Sequence, residues 1–265
     1  MSKRPRIGLI GLGYLGHYVY DQISTRPELG IDIGFVHDGD SDRLADIPAE
    51  LVLPDLANYE ERGVDLVAEL AHPDVTRQHG LTFVKTQDYL PLSLTAFADE
   101  GREDAMREAA LSAGTRIFMP HGGTIGLDAL EEGRELWEEV SIVMRKPVRS
   151  LDFARAPQFD PATMDTETTL FEGVARDICP MFPRNVNTHA GIALAGIGFD
   201  RTRSVLIADP SIEVSIIDLK ASGGGVEFSV HRVNPMAGVS GKLTLMSVLS
   251  SVGHAAGQPP GMWVC

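Results

Sequence analysis

Six residues near the start carry the first recognisable chemistry. Gly11-Leu12-Gly13-Tyr14-Leu15-Gly16 reads GxGxxG, after the apolar run Arg6–Ile10 and before the helically spaced stretch Tyr14–Ser24. Between a strand and a helix this spacing suits a dinucleotide. Gly11 permits the tight turn, Gly13 lets the backbone approach a pyrophosphate, and Gly16 lets the helix pack on the strand. Helix N-terminal amides then hold the phosphates without lysines. Asp38 ends the second apolar run, Ile31–Val36 and its following His37, at the ~20-residue distance where a carboxylate accepts hydrogen bonds from a ribose diol. It would repel a 2′-phosphate, so NAD is the expected cofactor, and Arg43 nearby leaves NADP open. Ala71 and His72 follow a third run, Val64–Leu70, at an edge where a cofactor could be touched; a plain loop role suits His72 as well. The alternative is that the glycines only make a tight turn in an α/β protein that binds no nucleotide, which the strand–helix context and Asp38 argue against.

These groups need a scaffold that brings strand ends together. In the first half apolar runs alternate with helical stretches. Pro73 stands where a first helical residue would, Asp74–Leu81 continues that helix, Tyr89–Leu94 reads as a strand, Asp99–Ala113 as a helix closed by Gly114, and Thr115–Met119 as another strand. Strand, helix, strand at this cadence predicts a parallel sheet with helices on its faces. After Pro120 the pattern changes. A short helix, Leu127–Trp137, precedes strand-like runs at Val140–Met144, Leu151–Ala154, Val205–Ala208, Val214–Leu219 and Val226–Val233, with Gly223-Gly224-Gly225 as a hairpin signal. Helical stretches at Gly173–Met181 and Thr188–Ala195 interrupt them, Asp160–Thr168 reads as a loop, and Leu243–Val252 is helical and folds back on the first domain. The expected fold is α/β: a Rossmann dinucleotide-binding domain, residues 1–120 and 240–265, plus an α+β substrate and oligomerisation domain, residues 121–239.

Composition narrows the function classes. The 265 residues are 43% hydrophobic and 23% charged, a globular profile. Thirty-seven acidic residues against 23 basic ones leave a net charge of −14, which argues against nucleic acid and against a polybasic membrane anchor. No run of ~18 apolar residues predicts a membrane span. Cys179 and Cys265 cannot build a disulfide framework or a metal spacing, so a reducing, cytoplasmic setting and no metal are expected.

The second half carries a set of short motifs: Leu170-Phe171-Glu172-Gly173, Phe182-Pro183-Arg184-Asn185-Val186-Asn187, Ala193-Leu194-Ala195-Gly196, Ala208-Asp209-Pro210 and Asn234-Pro235, with Gly122-Gly123-Thr124-Ile125-Gly126-Leu127-Asp128-Ala129 before them. In order and spacing the chain resembles the L-aspartate dehydrogenase family over nearly its whole length. The ending Pro260-Gly261 … Cys265 looks closer to the animal branch. The resemblance implies a nicotinamide held between a Rossmann and an α/β domain, oxidation of L-aspartate to iminosuccinate and on to oxaloacetate and ammonia, and a homodimer. It implies that Gly123 binds the cofactor through its backbone and that Asn187 contacts the cofactor.

Two departures from the family pattern bear on the chemistry. The family carries a catalytic histidine about eight residues after the Asp of its ADP motif. Ungapped counting puts Ile217 there, and slippage of one or two residues gives Ile216 or Ser215. The family serine before the Gly123 region is His121 here, and His189 stands where the family has small residues. His121 or His189 is therefore expected to take over acid–base work on the same or an altered substrate, since imidazole titrates near neutrality. Each could instead be structural, in a turn and in an early helix. A dicarboxylate substrate calls for arginine. Arg184, beside Asn185, is the first choice, ahead of Arg155, Arg201 and Arg203. Against an NAD(P)-dependent amino-acid dehydrogenase stands a non-enzymatic reading: a dinucleotide sensor that kept the cofactor site and lost the chemistry.

Overall fold

The structure is a computed structural model that describes residues 4–237 and 240–257. Cys265 and the Pro260-Gly261 ending lie outside the described residues. The chain divides into two units. The first comprises residues 1–93, 103–120 and 245–265, and the second residues 94–102 and 121–244. The sequence-based division differs in two respects: Leu94–Arg102 and residues 240–244 cluster with the second unit, not the first. Tyr89–Leu94 is not one continuous strand. It stops at Pro91, and a 3-10 turn over Leu94–Ala98 follows, tied into the second unit by Thr95 Oγ1 donating to the Pro183 carbonyl (3.0 Å).

In the first unit β1 (Arg6–Ile10), α1 (Tyr14–Thr25), β2 (Asp32–His37), β3 (Leu66–Glu69), α2 (Pro73–Val84), β4 (Asp88–Pro91) and α3 (Arg102–Ala113) follow the alternation read from sequence. The four strands form an all-parallel sheet in the order β2-β1-β3-β4. Its strands are nearly continuous apolar runs because helices cover both faces. Ile7, Leu9, Leu66, Ala68 and Leu90 bury against Val19 and Ile23 of α1. Thr115–Met119, expected as a strand, makes only one bridge, Ile117 to Tyr89. Its partner β4 ends two residues later at a proline, which has no N–H to extend the ladder.

The second unit adds α4 (Leu127–Glu132), β5 (Glu139–Lys146), β6 (Thr168–Val174), α5 (Ala175–Met181), α6 (Asn187–Ala195), β7 (Arg203–Ala208), β8 (Val214–Gly223), β9 (Val226–Ala237) and β10 (Ser240–Gly241). The six strands make a mixed sheet, β10-β9-β8-β5-β7-β6, with β5 and β7 parallel and the remaining pairs antiparallel. The β8–β9 hairpin turns at Gly224 and Gly225, whose φ of 55° and 82° is the pair of positive values a tight two-residue hairpin requires. Strand β6 was not expected, because Gly173 reads as the start of a helix; it is an edge strand with polar residues facing solvent and an irregular register near Leu170. Leu151–Ala154, expected as a strand, is not one. The Asn185 side chain takes its ladder bonds, accepting from Asp152 N–H (2.8 Å) and donating to the Ser150 carbonyl (2.9 Å).

Helix α7 (Lys242–Ala256) returns to the first unit, where Val248, Val252 and Ala255 complete the core around β1 and β3. No described helix is long and apolar enough to cross a membrane.

Candidate functional site

The glycine turn connects β1 to α1. Gly11 adopts φ 95°, where a side chain would be strained, and a Cβ there would meet Ala71 at 2.6 Å. A Cβ on Gly16 would run into the Gly11 carbonyl oxygen, so α1 packs on the turn only because position 16 is glycine. Gly13, the N-cap of α1, has open space where its Cβ would stand, with only the tip of Arg43 at 3.9 Å. No side chain caps this helix and no acid occupies its first turn, so the N-terminal amides stay available to an anion. Tyr14 is exposed at the start of α1, and Leu15 packs beneath it. The turn therefore fits a dinucleotide pyrophosphate.

Asp38 reaches this turn from the end of β2. Its carboxylate accepts from Leu12 N–H (2.6 Å) and Asp40 N–H (2.8 Å), and Arg43 lies 3.5 Å away. A carboxylate has about four lone-pair positions, so capacity remains for a diol. His72 caps α2, its Nδ1 accepting from Asp74 N–H at 3.3 Å, and Pro73 takes the first helical position. Ala71 is held from below by Glu69, a residue the sequence reading passed over. Glu69 is wholly buried at the end of β3 and accepts from Ala71 N–H (2.7 Å), Ser93 N–H (3.1 Å) and Ser93 Oγ (3.0 Å). Burial pushes its pKa up to about 7, against the downward pull of those hydrogen bonds.

In the second unit the inward face of the sheet is apolar for most of its width and turns polar at one end. Along β5, Val140, Ile142 and Met144 are buried and the next inward residue is Lys146. Ile217 of β8 pairs in register with Met144 on one side and Arg232 of β9 on the other; Ser215 pairs with Asn234. Alternation puts these side chains on the Lys146 face. Lys146 is 6% exposed, and its one hydrogen bond goes to the Asn185 carbonyl at 3.4 Å. His189, in α6, is fully buried, and neither ring nitrogen has a partner among the described residues. Arg232 Nε and Nη1, Asn234 Nδ2 and Ser215 Oγ are also buried without partners among the described residues. Burial, with Arg232 nearby, lowers Lys146 to about 8. Burial, with Lys146 nearby, lowers His189 to about 3. Burial lowers Arg232 as well.

A family profile described as "Aspartate dehydrogenase, C-terminal" matches residues 128–255, and one described as "Homoserine dehydrogenase, NAD binding domain" matches residues 11–120. An aspartate dehydrogenase domain-containing protein of Xenopus tropicalis is 32% identical, over 100% of this chain and 99% of its own. The chain belongs to the aspartate dehydrogenase family. An L-aspartate dehydrogenase of Ralstonia nicotianae is 31% identical over 94% of this chain and 97% of its own. The crystal structure of aspartate dehydrogenase from Thermotoga maritima aligns with a TM-score of 0.72 at 25% identity, over 94% and 93% of the two chains. This is an NAD-binding oxidoreductase family, and residues 11–120 carry the match to its NAD-binding domain.

Within this aspartate dehydrogenase family member, the expected site residues of the second unit fall into different surroundings. Asn187 begins α6 and accepts from Leu94 N–H (2.7 Å). Gly123 lies against Arg232, whose Nη1 would be 2.6 Å from a Cβ there. His121 is exposed, opening a turn closed by Thr124 N–H donating to its carbonyl (2.8 Å). Asn185 is buried, and its amide is committed to Ser150 and Asp152. Arg184, the arginine expected to meet a carboxylate, has a side chain 55% exposed and pairs with Asp152 at 3.3 Å. The arginine at the buried cluster is Arg232, which sequence spacing did not single out. Its only signal was the alternation of β9, where residues 228, 230, 232 and 234 share a face. Of the three positions counted for the family histidine, Ser215 and Ile217 face this cluster and Ile216 faces away.

Proposed function

We propose that this chain is an amino-acid dehydrogenase that oxidises the amine-bearing carbon of L-aspartate or a close analogue with NAD or NADP. The observation that carries the reading is the intact nucleotide turn: Gly11, Gly13 and Gly16 in the conformations a pyrophosphate needs, with Asp38 reaching the same turn. The alignment with an L-aspartate dehydrogenase across 94% of the chain supports the substrate class. The bound nicotinamide supplies the hydride acceptor; the protein's share is binding, orientation and proton management. The α1 amides hold the pyrophosphate and Asp38 orients the adenosine ribose. Gly123 and Asn187 are the second unit's cofactor-binding candidates, and Ala71 and His72 those beside the glycine turn.

The two candidate histidines divide by environment. His189 stays neutral at physiological pH because burial and Lys146 oppose its protonation, so it serves as an uncharged donor or acceptor that orients a bound group. His121, at the turn before Gly122, is the candidate histidine exposed on the surface. The test is reduction of oxaloacetate in the presence of ammonia and NADH or NADPH, followed by loss of reduced-nicotinamide absorbance. Turnover, with a loss of at least tenfold in His121→Ala, supports the reading and an acid–base role for His121; full turnover in His121→Ala removes the role. The sensor reading draws on Ile217, an aliphatic residue facing the polar cluster at 4% exposure. Tight cofactor binding with no turnover on any amino acid would favour it.

A further inference from the structure

The strands of the second unit sort their charges by face. On the outer face, Arg145 of β5 lies 2.9 Å from Glu167, and His231 of β9 pairs with Asp218 of β8 at 2.6 Å. On the inner face, one residue along each of β5 and β9, stand Lys146 and Arg232. No carboxylate among the described residues pairs with either. In a chain with 37 acidic residues against 23 basic ones, two inward-facing cations without a counter-charge are a costly arrangement.

The neighbouring groups complete a pattern of one chemical sense. Asn234 Nδ2 is a donor, Ser215 Oγ can donate, and neutral His189 carries one ring N–H; all are buried and lack partners. Arg232 leaves Nε and Nη1 uncommitted. Lys146 spends one proton on the Asn185 carbonyl and has two more to give. The inventory is two cations and three neutral donors, with no acid among them. An apolar ligand would leave every one of these groups unsatisfied, and a cation would be repelled.

We propose that Lys146 and Arg232 form a carboxylate-binding subsite, with Asn234, Ser215 and His189 as its neutral donors, for the anionic end of a small mono- or dicarboxylate. The inference rests on the dehydrogenase reading only for the identity of the anion, taken there to be an amino dicarboxylate or its oxo acid. The residues come from four elements: Lys146 from β5, Ser215 from β8, Arg232 and Asn234 from β9, and His189 from α6. Arg184, exposed and paired, takes no part.

The experiment uses the full chain with saturating NADH or NADPH and titrates malonate, a dicarboxylate with no amine to oxidise, by calorimetry. Lys146→Met and Arg232→Met are compared with the charge-keeping Lys146→Arg and Arg232→Lys, and reduced-cofactor affinity checks that each variant is folded. Malonate affinity is expected to fall about 10- to 100-fold in each methionine variant, the range for losing a charged hydrogen-bond partner, and less in the charge-keeping pair. The KM for aspartate should rise in parallel. Malonate affinity within twofold of wild type in both folded methionine variants overturns the subsite, as does a wild-type protein that binds neither malonate nor aspartate. The two readings fail separately. Aspartate turnover with unchanged KM in both variants leaves the dehydrogenase standing without this subsite. Malonate binding that depends on Lys146 and Arg232, in a protein that turns over no amino acid, leaves the subsite standing without the dehydrogenase.

Discussion

The protein buries ionisable groups in two places and treats them in opposite ways. In the first unit Glu69 is enclosed at the end of β3, and its oxygens receive hydrogen bonds from Ala71, Ser93 and Thr76, the last at 3.4 Å. Its donors are two backbone amides and two hydroxyls of the segments it joins, and one of those segments touches Gly11. In the second unit Lys146, His189 and Arg232 are gathered with only one protein hydrogen bond to the Lys146 ammonium and none to the His189 ring. Both burials cost desolvation, and both shift the groups toward neutrality. The satisfied cluster is scaffold: it sets the turn beside the glycines. The unsatisfied cluster has the character of a site, because nothing among the described residues satisfies it.

Substitution tests that contrast most sharply. Glu69→Leu strands the Ala71 and Ser93 donors in the core, so a loss of about 3 kcal/mol is expected in urea unfolding, together with weaker NAD(P)H binding as the Ala71 turn shifts. Lys146→Met replaces an unpaired buried charge by an apolar side chain of similar length, so the unliganded protein should keep its stability or gain about 1 kcal/mol. A Lys146→Met protein destabilised as much as Glu69→Leu would erase the distinction.

Acidity separates the clusters next. Lys146 in the fold loses its proton near pH 8, whereas an unfolded lysine holds it to about 10.4. Across that window the unfolded chain binds the extra proton, so stability should rise with pH by a few kcal/mol, and Lys146→Met should abolish the rise. Glu69 has the opposite sense. The fold holds its proton to about pH 7 and the unfolded chain releases it near 4.3, so its contribution is full below 4.3 and lost as pH rises to 7. Glu69→Gln should remove that decline. His189 stays neutral in the fold down to about pH 3, so its contribution is full above about 6.5 and lost as pH falls from there. Urea midpoints at a series of pH values, wild type against each variant, resolve all three.

The smallest effect belongs to Arg43, a half-exposed cation that does have acidic neighbours, Asp38 at 3.5 Å and Asp40 at 3.4 Å. An exposed, screened pair contributes up to about 1 kcal/mol. Arg43→Ala should therefore lower affinity for NADPH relative to NADH by less than about tenfold, read by fluorescence titration. A larger change would give this exposed pair the weight reserved above for the buried cluster.

What could be read along the chain follows from how far apart the cooperating residues lie. The glycine turn is one contiguous segment, and its geometry is a property of six residues, so spacing sufficed. Asp38 lies one strand further on and was legible by its distance. Glu69 was not, although it lies two residues before Ala71, because a carboxylate at a strand end looks the same in sequence whether it meets solvent or a set of buried amide and hydroxyl donors. Arg184 was preferred for a carboxylate because it adjoins the Asn pair. In the fold that neighbourhood is used to stitch loops, with Asn185 holding Ser150 and Asp152 and Arg184 exposed against Asp152.

The sequence by itself determined the α/β alternation, the nucleotide turn and the family, because local period, glycine conformation and ordered short motifs are written in neighbouring residues. The tertiary structure alone decided which cations turn inward and meet. Lys146 and Arg232 are brought to one face by a mixed sheet whose register pairs Met144 with Ile217 and Ile217 with Arg232, and α6 supplies His189. A one-residue slip in that register would send every one of those strand side chains to the other face.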